Sequence, residues 1–492
     1  MGFLPVVIAV VLAIWFECRR RRRSAKLPPG PYPFPIIGNI LQLGSSPHLS
    51  ITKLSKTYGP LMSLRLGQIY TVVVSSPEMA REVLQKHDLA FSRRMVPAAA
   101  QSMGHHKSSL VFLPVGDDWR KIRKICKEQM LLSQRMQGSE WLRQAKLGTL
   151  LEYVRHCCDE GRVVNVAQAI FICTLNLMSA TLFSIQVAEF ESDAAQEFKK
   201  AVENITRAVA VPNLGDYFSI LKPLDLQGIK RNADFHLARM LGLIEDIINE
   251  RLQSRSASSP KKSDLLETLL DGGTGEDEDQ LTINFISHVL LDLFFAGSDT
   301  TATTAERAMS ELLRNPEKMQ RAKQEMRSVI GPDKQVQESD MTRLPYLRAI
   351  IKETLRCYPA APFLIPRKSD CEVEIGGYVI PNSTQILVNV WAYSKDAKLW
   401  PDPDEFMPER FLDRKINYRG RDYELIPFGS GRRMCPGLEL ADRMVPMLLA
   451  TLIHNFDWEL EPGAQSLDMT SSFGINLRKA IPLKAIPIKP TY

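Results

Sequence analysis

The chain opens on sixteen uncharged, mostly apolar residues, Met1 to Phe16, and then meets five consecutive arginines, Arg19 to Arg23. An apolar run with a positive cluster behind it predicts a membrane segment whose basic flank is cytosolic. The cluster follows the run instead of preceding it and no small-x-small site lies between, so the expectation is an uncleaved signal anchor over residues 1–18. Five prolines in Leu27-Pro28-Pro29-Gly30-Pro31-Tyr32-Pro33-Phe34-Pro35 are too many for helix or sheet. They predict a stiff, extended spacer within the basic and proline-rich stretch 19–36. Beyond it the apolar positions recur mostly at helical spacing, which predicts helices near 78–88, 116–132, 140–160, 166–183, 190–208, 228–254, 281–313, 316–330 and 343–357. β-rich runs are few. Leu61 to Leu66 and Tyr70 to Val74 flank a hairpin turn at Gly67, and Val373 to Ile375 and Tyr378 to Ile380 flank Gly376-Gly377. Ser254 to Ser263 and Asp271 to Gln280 are polar breaks after which helical patterns resume at once, so they predict loops and not domain linkers. With no internal repeat, residues 37–492 read as one body, mainly α with small β-sheets.

Charge narrows the function. Among 492 residues, 62 Lys and Arg face 56 Asp and Glu, a net +6, but the first 26 residues hold six of those cations and one acid. The remaining body is close to neutral, which removes the electrostatic support for nucleic-acid binding. Eight cysteines (18, 126, 157, 158, 173, 357, 371 and 435) include no Cys-x-x-Cys pair and predict reduced, intracellular thiols. His105, His106 and His288 have no companions at zinc-ligand spacing and read as loop or core histidines.

Tyr423 to Leu449 is the stretch richest in chemistry. Ile426-Pro427-Phe428-Gly429-Ser430-Gly431-Arg432-Arg433-Met434-Cys435-Pro436-Gly437 sets one cysteine in a glycine-rich loop just before a helical pattern. A helix N-terminus with Arg432 and Arg433 beside it is expected to lower the Cys435 thiol pKa and favour the thiolate, the form that ligates metal. A lone cysteine is otherwise a small buried hydrophobe. Written as Phe-x-x-Gly-x-Arg-x-Cys-x-Gly, residues 428 to 437 match the haem-binding signature of the haem-thiolate monooxygenases at all five fixed positions, Phe428, Gly431, Arg433, Cys435 and Gly437. The chain thus resembles the cytochrome P450 family.

Three further constellations carry the same resemblance. Trp119 and Arg123 share one helical face and are similar to the family's Trp-x-x-x-Arg, whose side chains reach a haem propionate. Arg120, Lys121, Lys124 and Lys127 then remain as a cationic patch for an acidic redox partner. Ala296-Gly297-Ser298-Asp299-Thr300-Thr301 interrupts an apolar helix. Such a threonine can simply bond back to a carbonyl one turn earlier. The resemblance implies instead an oxygen-activation motif, in which Gly297 lets cofactor and O2 approach the backbone while Asp299 and Thr300 act catalytically as a proton-relaying acid and hydroxyl. Glu353 with Arg356, and Arg410 further on, resemble the family's buried, structural Glu/Arg/Arg core.

The resemblance covers the whole chain and implies the cytochrome P450 fold with an N-terminal transmembrane anchor. It implies heme b with an axial thiolate from Cys435 as the metal ligand, and NADPH supplied through NADPH-cytochrome P450 reductase. It also implies a single-pass protein of the endoplasmic reticulum membrane with a cytosolic catalytic body. Position relative to the haem motifs assigns the substrate pocket to Met103, Phe112, Leu293, Phe294, Ala296, Leu364, Ile365 and Ile475, an apolar set suited to a small apolar terpenoid. The stretches Lys124 to Gln129, Leu175 to Phe183 and Leu364 to Arg367 are similar to plant terpenoid oxidases that include geraniol hydroxylases and abietane diterpene oxidases. The favoured substrate is an abietane-type phenolic diterpene such as ferruginol or a hydroxylated ferruginol, with successive oxidation of one carbon as an extension. Its rivals are a geraniol-type monoterpenol, a haem-thiolate isomerase or dehydratase needing no reductase, and a non-catalytic haem sensor. Cys357-Tyr358-Pro359-Ala360-Ala361-Pro362 departs from the usual His and consecutive prolines of relatives, next to the substrate loop.

Overall fold

A computed structural model describes residues 26–256, 261–272, 281–332, 334–461 and 467–490. The expected anchor over residues 1–18 lies outside the described residues. The architecture is mainly helical with small sheets. Its axis is the helix Ile283–Arg314, 32 residues and about 48 Å long at 1.5 Å per residue. The Thr282 hydroxyl caps its start by accepting the Phe285 amide at 3.2 Å, and the helix stops at Asn315 because Pro316 opens the next one, Pro316–Val329.

Against this axis lies Val166–Phe183, apolar on every face and accordingly buried on every face. Among the described residues it is the one helix long and apolar enough to cross a membrane, yet 83% of it lies inside the protein. The two helices approach closely at Gly297, where an added Cβ would meet Met178 Sδ at 2.6 Å. The expectation that Gly297 clears a path for a cofactor is therefore corrected: its missing side chain admits the neighbouring helix. Glu140–Asp159, Asp193–Ala210, Ile229–Ser256, Pro345–Cys357 and Leu438–Asn455 complete the helical body around one large apolar core.

The larger sheet orders five strands as Leu61–Leu66, Ile69–Val74, Gln385–Val388, Arg367–Lys368 and Arg93–Arg94. The expected first hairpin is present, with Leu61 opposite Val74 and Leu66 opposite Ile69. Val72 lies parallel to Ile386, and Arg367 sits between Ile386 on one side and Arg94 on the other. The second expected hairpin stands apart as a two-stranded ribbon. The described part of the proline-rich stretch is extended, as its composition requires, but it is no free spacer. The Ser63 amide and hydroxyl donate to the Pro29 and Pro28 carbonyls at 2.7 and 2.8 Å, and a Cβ on Gly30 would fall 1.9 Å from the Ser63 carbonyl oxygen. Prolines that lack N–H groups still offer carbonyls, and here those carbonyls cap the sheet edge.

Candidate active site

The loop before the helix Leu438–Asn455 folds through short-range amide bonds. The Gly429 amide donates to the Ile426 carbonyl at 2.9 Å, Met434 to Gly431 at 3.0 Å and Cys435 to Phe428 at 2.9 Å. Gly431 holds φ +71° and its backbone abuts the Leu84 carbonyl, where a Cβ would stand 2.0 Å from the oxygen, so no other residue fits. Gly437 leaves open space whose nearest atom is Cys435 Sγ, 3.8 Å from an added Cβ. Cys435 lines a cavity of about 490 Å³ with Arg123, Met434, Pro436 and Leu438.

Burial raises the Cys435 thiol pKa, while the Gly437 and Leu438 amides and the Arg123 charge pull it down. The expected lowering by Arg432 and Arg433 is corrected, because both point elsewhere. Arg432 pairs with Asp88 at 2.9 Å, and Arg433 donates to the carbonyls of Ser92, Val111 and Leu113. A thiol that opens on a cavity, with two N–H donors and a guanidinium beside it, can give up its proton to a metal cation, whose charge offsets the desolvation.

Above the loop is a cluster of cations. The Arg433 guanidinium lies 4.8 Å from the Trp119 ring centre and that of Arg123 5.6 Å from it, while the indole N–H donates to the Leu110 carbonyl at 3.2 Å. Arg123 donates to the Met434 carbonyl. Arg94 and Arg367 face each other across the sheet, an arrangement that is unfavourable unless an anion joins it. Burial, then Arg367, Arg433 and Arg123, drive the Arg94 pKa far down, and Arg94 Nε is buried without a partner. Burial also lowers Arg367 and Arg433 to about 10. Among the described residues, none of Arg94, Arg123, Arg367 and Arg433 forms an ion pair. Such a set fits a dianionic group, and a haem has two carboxylates beside a metal that takes one thiolate. The residues present thus fit a haem. Arg94 and Arg367 were missed from the sequence, since they come from separate strands with no shared spacing.

Across from the loop, Ala296 and Thr300 are exposed in a helix whose neighbouring Ser298, Asp299 and Thr301 are buried. Thr300 and Thr304 face Pro427 and Phe428 across a narrow cleft. The Thr300 hydroxyl donates to the Ala296 carbonyl at 2.6 Å, which leaves its oxygen free to accept from the cavity side. Asp299 is not beside that hydroxyl's open side. Its carboxylate accepts from Asn476 Nδ2 at 2.7 Å and from Arg478 at 2.9 and 2.7 Å, so it anchors the segment Phe473–Arg478.

That segment borders an apolar cavity of about 310 Å³. Of the eight expected lining residues, Phe112, Leu364, Ile365 and Ile475 line it, together with Met95, Phe363 and Phe473. Leu364 takes φ +53°, a costly conformation for a leucine that aims it inward. Neither Leu293 nor Ala296 lines this cavity, which corrects that expectation; Leu293 packs against the core but shares the helix face of Ala296 and Thr300, two turns before the latter. Phe294 does not, and this corrects the expectation: it is 2% exposed and packs edge-on against Phe183 and Phe198 in the core. Met103 lies outside the lining, exposed at a kink with φ +51°. The Glu353, Arg356 and Arg410 trio comes together as expected, with Arg356 Nε donating to Glu353 at 2.7 Å and Arg410 Nε at 3.1 Å.

The chain matches the family model described as cytochrome P450 over residues 28–484. It is 52% identical over 493 residues to a ferruginol synthase of Isodon rubescens, covering 100% of this chain and 99% of that one. It is 50% identical over 492 residues to a sugiol synthase of Salvia miltiorrhiza, with 99% of each covered. To a carnosic acid synthase of Rosmarinus officinalis it is 48% identical over 489 residues, covering 98% of this chain and 97% of that one.

Proposed function

Because this chain belongs to the cytochrome P450 family of haem-thiolate monooxygenases, we propose that it hydroxylates an abietane-type diterpene with one atom of O2 and electrons from NADPH. The observation that carries the substrate class is the full-length similarity to proteins named for ferruginol, sugiol and carnosic acid. The apolar cavity supports it, since a hydrocarbon skeleton needs few polar partners. Relatives named as ferruginol synthases make that phenol, so the parent abietane hydrocarbon stands beside ferruginol and its hydroxylated derivatives as a substrate candidate.

When bound, haem iron with a thiolate ligand activates O2, the thiolate's electron donation favouring O–O cleavage. The residues divide the remaining work. Cys435 would supply the thiolate; Arg94, Arg123, Arg367 and Arg433 would hold the haem carboxylates, with the Trp119 ring backing Arg123 and Arg433 because its N–H is taken by the Leu110 carbonyl; Phe428, Gly431 and Gly437 shape the loop. Thr300 keeps an acceptor oxygen toward the cleft it shares with Pro427 and Phe428 and can hold a water there for proton delivery. Asp299 relays a proton only when its pairing with Arg478 opens, and otherwise fixes the pocket wall. Phe112, Leu364, Ile365 and Ile475 exclude water and orient the substrate.

The reductase docks at the groove beside Cys435, where Arg123, Lys127 and Arg421 leave a positive balance after Arg419 pairs with Glu439 and Asp442. Of the patch expected from the sequence, Arg120 pairs with Asp117 at 2.7 Å and Lys124 with Glu128 at 4.0 Å, and Arg419 beside it is paired as well, so Arg421 extends it. Residues 1–18 anchor the chain in the endoplasmic reticulum membrane and residues 37–492 form the cytosolic body, with 19–36 joining them. Asn382, an exposed residue of the sequon Asn382-Ser383-Thr384, then stays unglycosylated in plant cells. A glycan there contradicts this topology.

Microsomes carrying the protein and a plant reductase, given the abietane hydrocarbon, ferruginol, hydroxylated ferruginol and geraniol, are expected to convert an abietane far faster than geraniol. Mass spectrometry of the products decides. Efficient hydroxylation of geraniol alone replaces the diterpene reading, and turnover without NADPH replaces the monooxygenase by an isomerase or dehydratase.

A further inference from the structure

Away from the haem cleft, two histidines and an aspartate that the mechanism does not use form a buried network. His105 Nδ1 and His288 Nδ1 are 2.9 Å apart, and His105 Nε2 is 3.0 Å from Asp292 Oδ1. The other oxygen, Asp292 Oδ2, accepts from the Ser109 hydroxyl at 2.6 Å and the Val111 amide at 3.3 Å. Ser109 Oγ accepts in turn from the Val111 and Phe112 amides at 3.1 and 3.3 Å. The side chains of His105 and Asp292 are only 11% and 10% exposed. His288 and Asp292 belong to the helix that presents Ala296 and Thr300, and Asp292 stands one turn before Ala296. His105 and Ser109 belong to the segment that puts Phe112 in the cavity wall. From below, Arg433 holds the same segment through the Leu110, Val111 and Leu113 carbonyls.

We propose that His105, Asp292 and Ser109 are positioning residues that clamp the Ser109–Leu113 segment to the oxygen-facing helix and so set which substrate carbon meets the activated oxygen. The inference rests on the monooxygenase reading above. Neither His105 nor Asp292 lines the cavity, so the effect is transmitted through Phe112. The network is complete in proton count: Asp292 accepts three donors, and burial holds His288 near pKa 4, leaving it neutral to share one proton with His105. Removing the Asp292 carboxylate takes an acceptor from His105, from the Ser109 hydroxyl and from the Val111 amide at the cavity wall.

The test uses the full-length holoenzyme. Asp292→Leu is expected to retain the thiolate-type spectrum with carbon monoxide, raise amide hydrogen exchange across 109–113, and change affinity for 4-phenylimidazole about tenfold. Product formed per NADPH falls by a similar factor and the ratio of oxidised positions changes. Asp292→Asn is expected to restore most of this, because its oxygen can face Ser109 and Val111 while its amide donates to the other tautomer of His105. Ser109→Ala, which removes no buried charge, gives a smaller change of the same kind. An intact haem spectrum with unchanged exchange, azole affinity and product ratio in Asp292→Leu overturns the proposal. Should Asp292→Leu not take up haem, wild-type behaviour of Ser109→Ala in the same measurements overturns it. Exchange and azole binding do not depend on the substrate, so failure of the abietane reading, judged on the wild-type protein, is distinguishable.

Discussion

Replacing Cys435 by serine is expected to abolish the thiolate-type Soret band of the reduced, carbon-monoxide-bound protein and to lower turnover by roughly 10³-fold or more, the scale seen when a group on which a whole catalytic unit depends is removed. The reason is local. Cys435 lines the cavity facing Arg123, with the Gly437 and Leu438 amides directed at its sulfur. A serine hydroxyl keeps the volume and the amide donors, but its proton is far harder to remove and its oxygen donates less electron density to iron. Cys126, Cys173 and Cys357 cannot substitute, since they are buried elsewhere with pKa pushed up to about 12 by desolvation. A retained thiolate-type band in Cys435→Ser removes the assignment.

The second large effect falls on stability. Glu353 is fully buried, and Glu353→Ala is expected to cost about 3–5 kcal/mol, because it strands two guanidiniums. Glu353 Oε1 accepts from Arg356, Arg410 and the Met407 amide at 2.8, 3.1 and 2.8 Å, and Oε2 accepts from Arg356 Nε at 2.7 Å. Arg356 continues to the Ser394 and Pro403 carbonyls at 2.7 and 2.9 Å, so one carboxylate organises several chain segments. Against a total stability of about 5–15 kcal/mol, that loss leaves little holoprotein at growth temperature. Glu353→Gln, which keeps acceptors but not charge, should fall between. Denaturation midpoints and haem content per chain measure both, and a midpoint unchanged in Glu353→Ala contradicts the account.

What the chain disclosed by itself follows the range of the interactions. The cysteine loop was legible because its fixed positions lie within ten consecutive residues, and Val166–Phe183 because an apolar helix needs no partner to be recognised. The Glu353–Arg356 spacing was visible, but as a surface pair it is worth only about 0.2–0.5 kcal/mol, and its burial shows only in the fold. The helices Pro47–Tyr58 and Leu265–Gly272 and the strand Gln385–Val388 were not foreseen. The strand is short and acquires its identity from pairing with residues 71–74, far away in sequence. Arg94 and Arg367 meet only through that sheet. Nearness in sequence to Ala296 does not give Phe294 a shared face, because helical phase turns it toward Phe198. Asp299 lies on the expected helix but not beside the open side of Thr300, because its partners, Asn476 and Arg478, come from the far end of the chain.

The central claim, a monooxygenase acting on an abietane diterpene, is tested most directly by supplying ¹⁸O2 to microsomes that contain the protein, a plant reductase, NADPH and the abietane panel. One labelled oxygen atom per hydroxylation in the abietane product, with none gained from labelled water and no product when NADPH is withheld, is the predicted result. An abietane product that forms without NADPH, or whose new oxygen comes from water, contradicts it.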